Sequence, residues 1–229
     1  MLKLFCSIFV YLLVLFRKGI KSSFPCKVSP FFALKRLKGL QDVNLDSAFL
    51  GRDVTISSGC CFYEDPILFG KVRIGRYTSI CGPATRICAE INHVYIGAFC
   101  SIASNVVVQE YNHNLQKPAT YDVLSHLFDE TDPEMVTSKG DIVIEDGVWI
   151  GSNSVILSGV HIGRGAVIGA GAVVVNDIPA YAIAVGNPAK VVKYRFSKES
   201  IAMIEKSQWW KWDKEKFSAN KDFFTQTFE

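Results

Sequence analysis

From Asp141 to Lys190 the apolar positions keep one strict spacing. Ile144, Ile150, Ile156, Ile162, Ile168 and Val174 recur every six residues. Four residues after each of the first five comes Val148, Ser154, Val160, Ala166 or Ala172. Turn formers fill the gaps, among them Glu145-Asp146-Gly147, Gly151-Ser152-Asn153 and Gly163-Arg164-Gly165. Neither the helical period of about 3.6 residues nor the strand period of about two produces this pattern. A six-residue unit holds one short strand and one turn. Three units close one coil of a triangular prism, and stacked coils make a parallel β-helix. The first apolar position points inward, where burial contributes about 1.5–3 kcal/mol per side chain. The second inward position lies beside a corner and admits only a small side chain. A β-sandwich of short strands is the competing reading, but its turns would fall irregularly, about 8–12 residues apart.

The same phase starts earlier in the chain. Leu50, Ile56, Phe62, Leu68, Ile74 and Ile80 also keep a spacing of six, with Val54, Cys60, Pro66, Val72, Thr78 and Ala84 at the second position. The repeat therefore begins near Leu45. It slips between Ala84 and Val94, where Arg86 stands in an apolar place, and recovers at Ile96, Ile102 and Val108. The slip predicts an altered corner or a small bulge. Residues 109–141 break the pattern completely, and a long excursion from a regular scaffold is more often functional than accidental. After Pro179, residues 180–192 read as a last extended strand and turn. Ser197 is placed to cap a helix running through Ser207, and Asp213 to cap a last helix carrying Phe217, Phe223 and Phe224. Trp209, Trp210 and Trp212 between them read as a packing anchor. These boundaries give an N-terminal apolar helix and connector (1–43), an all-β-dominant prism with its loop (44–192), and a helical tail (193–229).

The N-terminus has two readings. The apolar run from Leu4 to Phe16 is shorter than the roughly 20 residues a spanning helix needs. Lys21-Ser22-Ser23-Phe24 is a poor site for signal cleavage. An apolar helix packed on the body is one reading; membrane-surface contact through residues 2–18, with Arg17, Lys18 and Lys21 facing anionic headgroups, is the other. Within the connector, Phe31 to Leu40 reads as a short helix.

Composition narrows the class. The chain has 229 residues, 49% of them hydrophobic, and a formal charge of +3, enough for one domain with a sizeable core. No Lys/Arg run with interleaved aromatics is present, which argues against a nucleic-acid partner. Seven cysteines, an odd number with no CxxC pair, read as small buried apolar residues in a reducing cytoplasm rather than disulfides or metal ligands.

Four histidines are candidates for chemistry. His161 falls at an outward position, and His93 falls in the slip. His113 and His126 lie in the excursion, where a neutral imidazole suits proton transfer near pH 7. Glu110, three residues before His113, is a candidate to orient it or raise its basicity.

A resemblance now joins these residues. Ile96-Gly97-Ala98-Phe99-Cys100-Ser101-Ile102 followed by Asn112-His113 is similar to the xenobiotic acetyltransferase branch of the hexapeptide-repeat acyltransferases. Type B chloramphenicol and streptogramin enzymes belong there, beside sugar and polysaccharide O-acetyltransferases. Val148-Trp149-Ile150-Gly151, Gly186-Asn187-Pro188-Ala189, Arg195-Phe196-Ser197 and Trp209-Trp210-Lys211-Trp212 follow in the branch's order. The resemblance implies a left-handed β-helix, although general rules for parallel crossovers favour the right hand. It also implies a homotrimer, acetyl-CoA as co-substrate in a groove between prisms, no metal, and His113 as general base. Trp149 would line the coenzyme pocket, the Ser152 and Ala170 amides would bind the pantetheine arm, and Lys190 and Lys193 would meet the phosphates. Tyr121 and His126 are the candidates for acceptor contact.

Two departures bear on specificity. Asn176 stands where sugar-acetylating relatives often carry a basic residue. The stretch Pro118-Ala119-Thr120-Tyr121-Asp122-Val123-Leu124 lacks the Pro-Phe element of the antibiotic enzymes. The expected acceptor is therefore a sugar hydroxyl of a cell-surface polysaccharide, O-antigen or capsule, or its precursor. N-acetylation of a nucleotide-linked amino sugar and antibiotic acetylation are the alternatives. A metal hydratase on the same prism would need three converging histidines, and the spacing here lacks them. A non-catalytic trimeric scaffold is the alternative outside enzymes. The expected location is the cytoplasm, at the inner face of the membrane if residues 2–18 touch lipid.

Overall fold

The computed structural model describes residues 20–22 and 37–229. The apolar run at residues 2–18, and residues 31–36 of the expected short helix, lie outside the described residues. Leu37–Leu40 form a turn, closed by the Leu40 amide on the Leu37 carbonyl (3.3 Å). Among the described residues no helix is long and apolar enough to cross a membrane.

The six-residue period becomes a three-faced parallel β-helix. The first face stacks Val43–Leu45, Cys61–Tyr63, Ser79–Cys81, Ser101–Ile102, Trp149–Ile150, Val167–Ile168 and Ala182–Val185. The second face carries Leu50, Leu68, Ile87, Val108, Ile156 and Val174 as one inward ladder, every member fully buried. The third carries Ile56, Ile74, Ile96, Ile144 and Ile162. Each coil hydrogen-bonds to the next in parallel register, so an apolar side chain lands on its counterpart one coil away. The second inward position is buried as well, at Val54, Cys60, Val72, Val106, Val148, Val160, Ala166 and Ala172. Polar residues there bond to the neighbouring backbone: Thr78 Oγ1 donates to the Gly97 carbonyl (2.7 Å) and Ser154 Oγ to that of Gly151 (2.8 Å).

The slip has two parts. Ala84 is exposed, while Thr85 and Ile87 take the inward places expected of Ala84 and Arg86, so one residue has been added at Gly82–Ala84. Then Gly70 pairs with Ala89 and Val72 with Val94. Lys71 alone therefore faces four residues, Glu90–His93, at the corner between the second and third faces. The excursion leaves from that same corner one coil later, after Val107–Gln109, and returns into Ile142–Ile144.

The connector is not merely a linker. Its Ile20–Ser22 strand pairs in parallel with Val43–Leu45 and extends the first face. At the other end, Lys190–Tyr194 runs antiparallel to Ala182–Val185 and closes the sheet. Within the excursion lies α1 (Val123–Phe128), and the tail carries α2 (Lys198–Ser207) and α3 (Lys214–Ala219). Ser197 and Asp213 cap α2 and α3 as expected, accepting from the Ser200 and Lys216 amides. Trp210 and Trp212 are buried, and Arg76 Nη2 donates to both their carbonyls (2.8 and 2.6 Å). Arg164 grips Glu205 of α2 through two contacts (3.0 and 2.8 Å) and lies 4.0 Å over the Trp210 ring.

Candidate functional site

His113 sits where the excursion briefly becomes regular. Asn112–His113 pairs antiparallel with Val136–Thr137, and the Asn114 amide donates to the Met135 carbonyl (3.0 Å). Asn112 Nδ2 reaches Ser158 Oγ (3.3 Å), which also accepts from the Lys139 amide (3.3 Å). Both limbs of the loop are thereby tied to the coil beneath. The His113 ring is exposed and forms part of the wall of a cavity of about 750 Å³, with Asn112, Thr120, Ser138, Lys139 and Leu157 among its neighbours.

Among the described contacts the Glu110 carboxylate makes no bond to His113. The residue is fully buried, and its carboxylate points back to the preceding coil. Oε2 accepts from the Glu90 and Ile91 amides (3.0 Å each), and Oε1 from Asn92 Nδ2 (3.1 Å). Burial opposes its charge, but bonds from Ser138, Asn92 and Glu90 outweigh that and hold the carboxyl below its usual range. A dyad with His113 would have to compete with these bonds.

Tyr121 and His126 meet each other, ring centroids 4.8 Å apart, on the exposed outer part of the loop around α1. His126 Nδ1 is held by the Asp122 carbonyl (2.8 Å). Neither residue is in the wall of the His113 cavity.

The coenzyme candidates fall at the last coils. Trp149 is exposed on the first face. Ser152 and Ala170 occupy the same corner of adjacent coils, since Trp149–Ile150 pairs with Val167–Ile168 and the Gly171 amide donates to the Ser152 carbonyl (2.9 Å). That corner is bare: Ala170 is exposed and Ser152 half-buried. Lys190 and Lys193 project from the exposed final strand. None of these five lines the His113 cavity within one chain. Among the described residues no cluster of His, Cys, Asp and Glu could hold a metal. The described cysteines, Cys60, Cys61, Cys81, Cys88 and Cys100, are free thiols.

Sequence reading missed Ser158, which is buried at a corner and secures the loop. Its partner Asn112 lies 46 residues earlier, a separation that local pattern does not expose. Asp141 was also missed as a partner of the slip: its Oδ1 accepts from the His93 amide (2.8 Å).

Comparison with known proteins agrees with this architecture. Residues 141–176 match the model for the bacterial transferase hexapeptide (six repeats). The chain is 40% identical over 136 residues to a probable macrolide acetyltransferase of Lysinibacillus sphaericus, covering 57% of this chain and 76% of that one. It is 35% identical over 140 residues to a chloramphenicol acetyltransferase of Agrobacterium fabrum, covering 58% and 67%. Among solved structures, a point mutant of AntD, an N-acyltransferase from Bacillus cereus in complex with dTDP and coenzyme A, shares the fold. The TM-score is 0.50 at 23% identity, covering 83% of this chain and 84% of that one.

Proposed function

The chain belongs to the bacterial hexapeptide-repeat acetyltransferases, and from that premise we propose that it transfers the acetyl group of acetyl-CoA to a carbohydrate hydroxyl, with His113 as general base. The observation that carries the assignment is the exposed imidazole, held by a short ladder in the wall of a cavity large enough for a sugar. The neutral ring takes the proton as the acceptor oxygen attacks the thioester carbonyl. The new C–O bond forms, the C–S bond breaks, and the imidazolium returns its proton to the departing thiolate. Such proton transfer contributes about 10²–10⁴-fold to rate.

The coenzyme is assigned to the bare Ser152 and Ala170 corner, with Trp149 beside it and Lys190 and Lys193 toward the phosphates. In one chain this strip does not share the His113 cavity. A homotrimer, in which a groove lies between prisms, brings a strip and a loop histidine together. The prism 44–192 is the catalytic domain and 193–229 its clasp. The acceptor is placed in the cell-surface polysaccharide class, and the enzyme in the cytoplasm.

Antibiotic acetylation is the second reading. The macrolide and chloramphenicol relatives favour it; the missing Pro-Phe element at residues 118–124 weighs against it. The test is acetyl-CoA consumption with a panel of hexoses, amino sugars, polysaccharide repeat units, chloramphenicol and a macrolide. His113→Ala should lower turnover with the preferred acceptor by at least about 10²-fold while sparing the trimer and coenzyme binding. Near-normal turnover would reject the base, and acetylation of the antibiotics alone would reject the acceptor class.

A further inference from the structure

The three-residue insertion and the excursion share one corner on successive coils, and two carboxylates join them. In a regular coil the strand amides find carbonyls one coil away. Residues Glu90–His93 have only Lys71 opposite them on the coil before. Their amides are satisfied from the other side instead. Glu110, at the outgoing foot of the excursion, accepts from the Glu90 and Ile91 amides and from Asn92 Nδ2; Asp141, at the returning foot, accepts from the His93 amide. Four consecutive residues thus present donors to the two ends of the loop that carries His113.

We infer that Glu110, clamped on the Glu90–Asn92 shelf, is a positioning residue that sets where the Asn112–His113 strand leaves the prism. Only Tyr111 and Asn112 separate it from His113. Its backbone amide is fastened too, to the Cys88 carbonyl (3.1 Å). Bonds from neutral donors to a buried carboxylate are stronger than neutral pairs, so the foot of the loop is stiff although the loop itself is exposed. Asp141 holds the return limb in the same way from an exposed position. The inference rests on the proposed role of His113 for its kinetic consequence, but not for its structural one.

Four variants test it: Glu110→Ala, Glu110→Gln, Asn92→Ala and His113→Ala, each as the full chain. Amide hydrogen exchange is read at residues 112–114, and turnover with acetyl-CoA and the best acceptor of the panel above. Glu110→Ala should speed exchange at 112–114 by about tenfold or more while distant coils stay protected. It should also cut kcat about 10²-fold, the scale of a displaced catalytic group, with the KM for acetyl-CoA held within about twofold. Glu110→Gln, which keeps one accepting oxygen, should recover part of both losses, and Asn92→Ala should cost less than either. Unchanged exchange at 112–114 overturns the inference. So does a uniform loss of protection across all coils, which would make Glu110 a general stabiliser. If His113→Ala keeps its turnover, the base assignment fails while the exchange result still judges the clamp.

Discussion

Gly151 and Gly171 look alike in the sequence, yet the structure gives them different reasons to be glycine. Gly151 does not have a positive φ; its constraint is space. A Cβ there would lie 2.6 Å from the Ala170 nitrogen, 3.0 Å from its Cα and 3.0 Å from the Ile168 carbonyl oxygen. All three are backbone atoms of the next coil, so no side chain can swing aside. Gly171 has φ of +73° and nothing within 4 Å of its added Cβ; its constraint is conformational. Gly151→Ala must prise two coils apart against their ladder, and overpacking of this kind costs about 1–3 kcal/mol. At Gly171 the left-handed conformation costs an L-residue about 1–2 kcal/mol. The stiffer unfolded chain returns about 0.4–1 kcal/mol of that.

Gly151→Ala should therefore be the more damaging of the two, near the upper end of its range. Urea unfolding at constant m-value measures the difference. A double variant sharpens it. Adding Ala170→Gly removes a side chain but leaves every offending atom in place, so it should not rescue Gly151→Ala. The same corner is the proposed pantetheine strip, so Gly151→Ala should also weaken acetyl-CoA binding, and Gly171→Ala should weaken it less. If Gly151→Ala proves milder than Gly171→Ala, or if Ala170→Gly restores it, the close approach of backbones is not what demands glycine there.

Two further outcomes test the core and the clasp. Burial pushes the Cys60 thiol up to about 11 and that of Cys100 to about 12; a thiol raised on folding contributes stability that is intact below its unfolded value of about 8.5 and lost as pH rises through the folded one. Both should resist alkylation at pH 8 until the chain unfolds, and each thiol should lower stability by up to about 1.4 kcal/mol for every pH step of one, from about pH 8.5 to about 11 for Cys60 and to about 12 for Cys100. Early labelling of Cys100 in the folded protein, read by mass spectrometry, would contradict this. Glu205→Ala removes the acceptor shared by Arg164 and the Tyr181 hydroxyl (2.8 Å). It should cost about 1–2 kcal/mol, discounted because Glu205 is partly open to solvent, and should make α2 and α3 the first region lost to limited proteolysis.

The prism was readable because its code is local. One inward residue every six positions suffices to count strands and locate corners from Leu45 onward, but not to find the Ile20–Ser22 strand that extends the first face before it. The caps at Ser197 and Asp213 were readable for the same reason, since each partner lies three residues away. Arg86 announced a fault in the phase, but not its content. Knowing that Thr85 and Ile87 slide inward requires knowing which coil they stack upon. Glu110 and Tyr121 have surroundings that local pattern does not expose. A carboxylate in a polar loop reads as solvated or as a partner for the nearest histidine, yet the donors that bury it lie 18 to 20 residues earlier. Tyr121 reads as a candidate for acceptor contact, and within one chain its ring packs tilted against that of His126.

These non-local features share one physical origin. A solenoid satisfies its backbone only while successive coils have equal length. The insertion at Glu90–His93 breaks that equality and would leave amides facing outward with no carbonyl to meet. The departing loop breaks it again at the same corner, one coil on. Each irregularity answers the other: the loop's feet bring acceptors, Glu110 and Asp141, to the donors that the insertion has freed. Neither side is well satisfied without its counterpart. The buried Glu110 carboxylate, lacking its donors, would carry an uncompensated polar cost of about 1–3 kcal/mol or more. The corner can therefore project the excursion while the feet of the loop stay bonded to the prism. The role proposed for His113, meeting a thioester across a gap between subunits, calls for such a fixed point of departure beneath it.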